Sequence, residues 1–469
     1  MTLVMKFGGT SVGSAAAMRE TAKLILAAKA EWGQVVVVAS GMGSKPVKVT
    51  DLLLNGAHLA AAGDEATHQQ AAVQLREIHA EAITGLLDEE QEAILAENGR
   101  FIDRFSALCQ AIHVLGELSP RALDAVGGMG EQMSIRILAA YLRQIGHPAE
   151  AIDATDLIVT DDNYLNASPD FALTQEKTQA RVQPLLDQGI IPIITGFIGA
   201  TPEGITTTLG RGGSDFSAAI FGQVLAAKEV WVWTDVDGVM SADPRLVSAA
   251  KSIPTLAYRE VSELAYYGAR VLHPKTMRPC VDNGIPLRIK NTFNPDHSGT
   301  VVVPDSEAKK GGIKAVTAIK DLSLITIAGK GMMGVPGIAA RAFGAVAHSQ
   351  VSVLLITQAS SEQSICFATS SSDADTVLSS LQEAFNEELQ AQDIDTVSAI
   401  DDVSIVTVVG AGMQGTPGIA GQVFSVLGNH GVNIIAIAQG SSECSISLVV
   451  DGADTGTAVS HIHTLISPA

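Results

Sequence analysis

Leu3-Val4-Met5-Lys6-Phe7-Gly8-Gly9-Thr10-Ser11-Val12 opens the chain with an apolar strand that runs into two adjacent glycines, a lysine before them and two hydroxyls after. Ser14-Ala15-Ala16-Ala17-Met18-Arg19-Glu20 follows with the make-up of a helix start, Ser14 serving as N-cap. Paired glycines let the backbone come close to an anion, and helix-start N–H groups point toward negative charge. Lysine adds a mobile point charge of the kind that steadies a transferring phosphate. The spacing is not that of the common phosphate loop, in which Gly is followed by four residues and then Gly-Lys-Ser/Thr. Taken alone, the stretch also fits a simple tight turn. The rest of the chain favours the functional reading over a bare turn.

Up to about residue 300, apolar strands alternate with helical stretches. The strands expected at residues 35–39, 149–153, 190–194, 229–234 and 286–290 are rich in Val and Ile, as suits a mostly parallel sheet buried between helical layers. Residues 66–104, rich in Ala, Glu, Gln and Leu, read as surface helices. A polar connector, residues 305–312, closes this part.

The last third repeats itself. Gly329-Lys330-Gly331-Met332-Met333-Gly334-Val335-Pro336-Gly337 is echoed by Gly410-Ala411-Gly412-Met413-Gln414-Gly415-Thr416-Pro417-Gly418. Likewise Gln358-Ala359-Ser360-Ser361-Glu362 is echoed by Gln439-Gly440-Ser441-Ser442-Glu443, at the same offset (415 − 334 = 81 and 439 − 358 = 81). Each copy reads as a small α+β module. Both contain Gly-x-Gly-x-x-Gly, the nominal dinucleotide fingerprint, but the next strands end in Gln358 and Gln439 rather than in an acid that could hold a ribose. Helix-start N–H groups beside a glutamine suit a small amino acid instead, the amides facing its carboxylate.

With 469 residues the chain should hold two to four domains, and its 46% apolar and 17% charged content is that of a globular protein. No run of eighteen apolar residues predicts a membrane span, and the first strand begins too early for a leader segment. Cys109, Cys280, Cys366 and Cys444 have no metal-ligand spacing and read as reduced thiols of a cytoplasmic protein. A net charge of −20 argues against nucleic acid or an anionic membrane as partner. Any anionic substrate must then be met by cations set locally against that field.

Such cations sit beside glycines. In Leu209-Gly210-Arg211-Gly212-Gly213-Ser214-Asp215, Arg211 stands inside the turn, where its planar fork suits a carboxylate. Ser214 and Asp215 read either as helix caps or as site residues. Trp233-Thr234-Asp235-Val236-Asp237-Gly238-Val239 puts acids at the carboxyl end of a strand, where open α/β sheets carry ligand loops, though an Asp-Gly turn explains it as well. Gly130-Glu131-Gln132-Met133-Ser134 offers Glu131 either to a substrate ammonium or to the positive helix end. In Gly268-Ala269-Arg270-Val271-Leu272-His273-Pro274, Arg270 is a further cation, and His273 reads as structural. No Ser-His-Asp set, Cys-His pair or zinc cluster is evident. Glycine loops, the cations Lys6, Arg211, Arg245 and Arg270, and a few carboxylates suit phosphoryl transfer, which rests on positioning and charge neutralisation. A carboxylate acceptor, already ionised at neutral pH, would need no general base.

In order and spacing, Lys6 to Val12, Gly130 to Ser134, Leu209 to Asp215, Trp233 to Val239, Asp243-Pro244-Arg245 and Gly268 to Pro274 resemble the motifs of aspartate kinases, over nearly the whole chain. The resemblance implies an amino-acid-kinase fold (a three-layer αβα, mostly parallel sheet) over residues 1–304, followed by ACT-like regulatory modules at 313–400 and 401–469. It implies ATP and Mg²⁺ as cofactors and L-aspartate as substrate, yielding 4-phospho-L-aspartate, the opening step toward lysine, threonine and methionine. Carried over by position, Lys6, Arg211 and Asp215 are the catalytic set, with Lys6, Gly8, Gly9 and Ser11 near the phosphates. Ser40, Thr50, Glu131, Arg211, Gly212, Gly213 and Ser214 would hold the aspartate, and Thr234, Asp235, Met240, Arg245 and Arg270 the nucleotide. No residue is assigned to a metal.

Met240 stands where relatives often carry tyrosine, and residues 41–49 form a longer loop than the family's usual one. The repeats are most similar to those of the bifunctional aspartate kinase–homoserine dehydrogenases, so the chain reads either as a single-function enzyme or as part of a longer one. Gln358 and Gln439 are the expected effector residues, with threonine favoured over lysine. Pairing of the modules predicts a homodimer or larger assembly, and strand exchange, with the C-terminal tail completing the first module, is expected near residue 400. The alternatives are a related kinase acting on another acid, or an inactive amino-acid sensor.

Overall fold

The computed structural model describes residues 1–44, 47–269, 272–305, 312–359 and 363–466. They form two compact units: Met1–Val239, Pro254–Tyr258 and Leu272–Ser306 make the first, and Met240–Ile253, Arg259–Val271 and Glu307–Ala469 the second.

The first unit is built on an eight-stranded sheet in the order Thr255–Ala257, Thr300–Val303, Leu287–Asn291, Glu229–Thr234, Thr2–Phe7, Gln34–Ala39, Ile191–Thr195, Ala149–Ile152. Only the pairing of Leu287–Asn291 with Thr300–Val303 is antiparallel. The five strands expected from the apolar runs are all present. Alternation along the first strand sends Leu3, Met5 and Phe7 into one core, shared with Ile25 of the helix Ala15–Trp32 and Ile137 of the helix Met129–Gln144. Lys6 therefore faces the other side, where the helix Gly213–Val224 packs against the strand. That is the three-layer αβα arrangement, and it already sets Lys6 and Asp215 on the same side of the sheet.

The stretch expected to form surface helices is an antiparallel pair, Glu65–Leu86 and Gln91–Leu115, that buries one stripe of each helix. His68, Ala71, Leu75, His79, Ala82 and Leu86 recur at helical spacing on the first, Ile94, Asn98, Ile102, Phe105, Cys109 and Ile112 on the second. Small and polar residues within the stripe made it look exposed.

The second unit carries a six-stranded antiparallel sheet in the order Leu355–Gln358, Ser364–Ser370, Ala315–Ala328, Thr396–Val409, Ser445–Asp451, Ala436–Ala438. The two fourteen-residue strands at its centre each serve both modules. Leu324 to Ala328 pair with Thr396 to Ile400 in the first module, and Ala315 to Ile319 pair with Ile405 to Val409 in the second. Val397 and Ala399 thus pack on the core of the first module, Ile313 and Val316 on that of the second. Strand exchange is present, but among the described residues it is 396–400 that complete the first module, not the C-terminal tail. The last helix, Thr455–His463, stays in the second module through Ala458, Val459 and Ile462.

Two segments expected to lie within a 1–304 kinase domain also belong to this unit. Ala242 and Val247 are buried with Val406, Val408, Val423, Leu427 and Ile462, and Ser241 Oγ is 2.8 Å from His463 Nε2. In the helix Tyr258–Tyr266 the buried Glu260 carboxylate accepts from Lys314 Nζ (2.7 Å) and from the Ala411 N–H (2.6 Å). The first glycine of each repeat proves to be a packing residue: a Cβ on Gly329 would meet the Asp393 carbonyl at 2.4 Å, and one on Gly410 the Gly312 carbonyl at 2.4 Å.

Candidate active site

At the carboxyl ends of the parallel strands the first unit holds an open cleft of about 650 Å³. Its wall brings together Lys6, Gly8, Gly9, Ser40, Thr50, Glu131, Arg211, Gly212, Gly213, Ser214, Asp215 and Thr234, twelve of the residues singled out from the sequence.

Lys6 Nζ lies 2.6 Å from Asp215 Oδ1, both side chains largely shielded. This ion pair fixes the ammonium at the cleft floor while leaving hydrogens free for a ligand. Gly8 gives its N–H to the Trp233 carbonyl (3.1 Å), so Gly9 turns at the cleft's edge. There it must be glycine, since a Cβ would stand 2.9 Å from the Gly41 carbonyl. Ser40 is held by the Ser134 hydroxyl, which donates to its carbonyl (2.7 Å).

Glu131 is only 3% exposed. Its Oε2 has no partner among the described residues, and burial pushes its pKa from 4.5 up to about 7, opposed by bonds to the Gly41 and Glu131 amides and by Lys6. A shielded carboxylate with an open oxygen is a receptor for a ligand's ammonium group.

Gly210 and Gly212 both have positive φ (79° and 73°), which puts exposed Arg211 at the outside of a tight turn. Gly213 then starts the helix flush against Phe197, leaving no room for a Cβ (2.6 Å to the ring). The turn is tied down by a residue the sequence reading passed over. Fully buried Asp124 accepts from Thr208 Oγ1 (2.6 Å) and from the Leu165 N–H (3.0 Å), and burial raises its pKa. Lys48, Asp51 and Phe197 line the cleft too and were likewise missed. Only Asp124, seven residues ahead of Glu131, and Lys48-Val49-Thr50-Asp51, a charged helix entry, left a trace in the sequence.

Other expected residues lie elsewhere. Ser11 is fully buried behind the loop, its hydroxyl 2.7 Å from Thr292 Oγ1, and is not on the cleft wall. Asp235 is exposed and accepts from the Thr234 hydroxyl (3.2 Å). Its neighbours Asp237 and Gly238 make a structural turn: Asp237 accepts from Asn291 and Asn294, and Gly238 has φ 103° against Thr300. Met240 and Arg245 belong to the second unit, where exposed Arg245 is forked by Asp243 (3.0 and 2.6 Å). Arg270 lies outside the described residues. His273 caps the helix Pro274–Asp282, its Nδ1 accepting from the Lys275 N–H (3.2 Å).

In the first ACT-like module a smaller cavity of about 310 Å³ is walled by Gly334 to Ala339, Met332, Ile365 and Gln358. In the second, Gln439 is exposed, and the corresponding glycine loop already binds carboxylates of its own chain: Glu443 Oε2 accepts from the Gly415 N–H (2.7 Å) and Glu260 from that of Ala411. These loop amides are therefore competent carboxylate donors.

The profile of the amino acid kinase family matches residues 1–291, and that of the ACT domain matches residues 325–385 and 406–465. Over 99% of its length the chain is 36% identical to bifunctional aspartokinase/homoserine dehydrogenase 2, chloroplastic, of Arabidopsis thaliana, and it covers 50% of that protein. It is 32% identical to aspartokinase 2, chloroplastic, of the same plant, covering 99% of this chain and 84% of the other. The structure of E. coli aspartokinase III with aspartate and ADP superimposes with a TM-score of 0.80 at 31% identity over 99% of both chains. The same enzyme with lysine and aspartate also gives 0.80, at 31% identity over 100% of both. The chain spans about half the length of the bifunctional relatives it matches.

Proposed function

The chain belongs to the amino acid kinase family, as an aspartokinase with two ACT modules, and on that footing we propose that it moves the terminal phosphoryl group of ATP onto the side-chain carboxylate of L-aspartate. The products are 4-phospho-L-aspartate and ADP. One observation carries the reading: Lys6, Asp215, Glu131 and Arg211, far apart in sequence, line a single cleft.

Glu131 receives the aspartate ammonium and the Arg211 fork its α-carboxylate, with Ser40, Thr50, Gly212, Gly213 and Ser214 closing around them. The side-chain carboxylate is thereby aimed at the γ-phosphorus. One of its oxygens forms the new P–O bond while the bond to the β–γ bridging oxygen breaks, and ADP leaves with that electron pair. No proton has to move, which agrees with a cleft lined by no histidine or cysteine among the described residues. Lys6 offsets the charge gathering on the phosphoryl oxygens, and Asp215 keeps its ammonium in place.

The nucleotide belongs at the Gly8, Gly9 and Thr234 end of the cleft, next to Asp235. Magnesium, when bound, supplies charge neutralisation to the phosphates.

An amino-acid effector fits the cavity of the first module, where Gln358 and the loop amides would read its ends, with Gln439 as the counterpart in the second. We favour threonine. E. coli aspartokinase III was solved with lysine, so both belong in the test. Exposed Ile356 (51%) and Ile437 (41%) on the edge strands of the sheet favour assembly of two or more copies through the modules. Unbridged thiols fit a reducing, cytoplasmic setting.

ADP release, measured with L-aspartate, glutamate and N-acetylglutamate and repeated with threonine or lysine added, tests all of this. Aspartate should support turnover best, and threonine should inhibit at lower concentration than lysine. Faster turnover on another acid would reassign the substrate, none on any acid would leave a sensor, and stronger inhibition by lysine would replace threonine.

A further inference from the structure

We infer that Lys48 is a second phosphoryl-binding cation of the cleft, an inference that rests on the phosphoryl-transfer reading above. Three cations line the cleft, Lys6, Lys48 and Arg211, against the four carboxylates of Asp51, Asp124, Glu131 and Asp215. Lys6 is already paired with Asp215, and Arg211 is committed to the acceptor's α-carboxylate. Lys48 makes no ion pair among the described residues. In a chain of net charge −20, an unpaired cation facing an acidic cleft is the charge that remains available to a multiply charged anion.

Its position specifies which anion. Lys48 pairs with Gly43 in a short antiparallel ladder, and its Cγ lies 3.7 Å from where a Gly43 Cβ would be. Gly43 in turn rests on the phosphate-side loop: its N–H donates to the Gly9 carbonyl (3.0 Å), and a Cβ on Gly9 would stand 3.3 Å from Gly43 Cα. The next residue is pinned as well, Val49 donating its N–H to the Met42 carbonyl (3.0 Å). The backbone under Lys48 is therefore fixed beside Gly9 while its exposed side chain is unengaged. Two anions, an acceptor carboxylate and a phosphoryl group, must be pushed together there, and the charge of Lys6 is already partly answered by Asp215. A lysine is a point charge suited to that task.

The test compares wild type, Lys48→Met and Lys48→Arg for kcat and for KM of aspartate and of ATP, alongside the affinities for ADP and for a non-hydrolysable ATP analogue by calorimetry. Lys48→Met should lose about 100-fold in kcat, as removal of one transition-state donor does elsewhere, with KM for aspartate unchanged within about threefold. It should weaken the triphosphate more than the diphosphate. Lys48→Arg should restore at least part of the rate, which also shows that the hairpin folds. The inference is overturned if Lys48→Met keeps kcat, or if its loss is confined to KM for aspartate, which would put Lys48 on the acceptor. A wild type that turns over no acid would instead sink the functional reading itself, so the two failures are told apart.

Discussion

Glu131 ties the chemistry of the cleft to pH. Its carboxyl, pushed up to about 7 by burial, must be ionised to take the aspartate ammonium. KM for aspartate should therefore rise about fivefold between pH 7 and pH 6 as the ionised fraction falls, and level off above pH 8. Before substrate binds, the same group should make the folded state less stable as pH rises from 4.5 to about 7, because the folded chain holds its proton more tightly than the unfolded one. Glu131→Gln should raise KM far more than it lowers kcat and remove the pH dependence of KM; a pH-independent KM in the wild type would disprove the role. Legibility at this scale followed the glycines. Lys6, Arg211 and Asp215 stood out because glycine neighbours mark where backbone meets ligand. Asp124 has no adjacent glycine, and Phe197, though preceded by Gly196, carries no polar group to set it apart from a core ring; each reaches the cleft through tertiary packing. Ser11 had the right neighbours yet points inward, since the turn after Gly9 carries it under the loop toward Thr292.

Among elements, the helix pair Glu65–Leu86 and Gln91–Leu115 hides its own titration. His79 is 1% exposed, its Nδ1 is 2.7 Å from the Leu75 carbonyl, and its Nε2 has no partner among the described residues. Burial lowers its pKa from 6.5 to about 4. The unfolded chain then binds a proton below pH 6.5 that the folded chain refuses, so stability should fall on acidification from pH 6.5 to about 4, by on the order of 3 kcal/mol. His79→Leu, close in volume and without the imidazole, should flatten that slope in melting curves recorded across this range; an unchanged slope would rule out His79 as its source. The strands were readable because parallel sheets leave unbroken Val and Ile runs. These helices were readable as helices but not as buried ones, because Ala, His and Asn occupy core positions that apolar periodicity would otherwise mark.

For the whole molecule, the repeat offset of 81 residues was plain in the sequence, whereas the crossing of strands was not. Matching loops say how long each module is; they do not say which module a preceding strand joins. Asp321 and Asp402, again 81 apart, both take positive φ (59° and 51°) at the bends where the two long strands pass from one module to the other. A chain cut at residue 304 should consequently behave poorly. It keeps Ala242 and Val247 but loses Val406, Val408, Leu427 and Ile462, against which they are buried, and full burial of a valine is worth roughly 2 kcal/mol. Size-exclusion and melting of residues 1–304 should reveal aggregation or an early transition, and a monodisperse fragment melting like the full chain would contradict this packing.

The interleaving has a consequence for biosynthesis of the protein itself. A ribosome releases Ala242 and Val247 long before Ile462, so the strap that carries them emerges greasy and uncovered and waits for nearly half the polypeptide to follow. The first unit can begin folding during that interval; its neighbour cannot close until translation is almost over. Chaperone dependence should therefore concentrate on the stretch between those two moments.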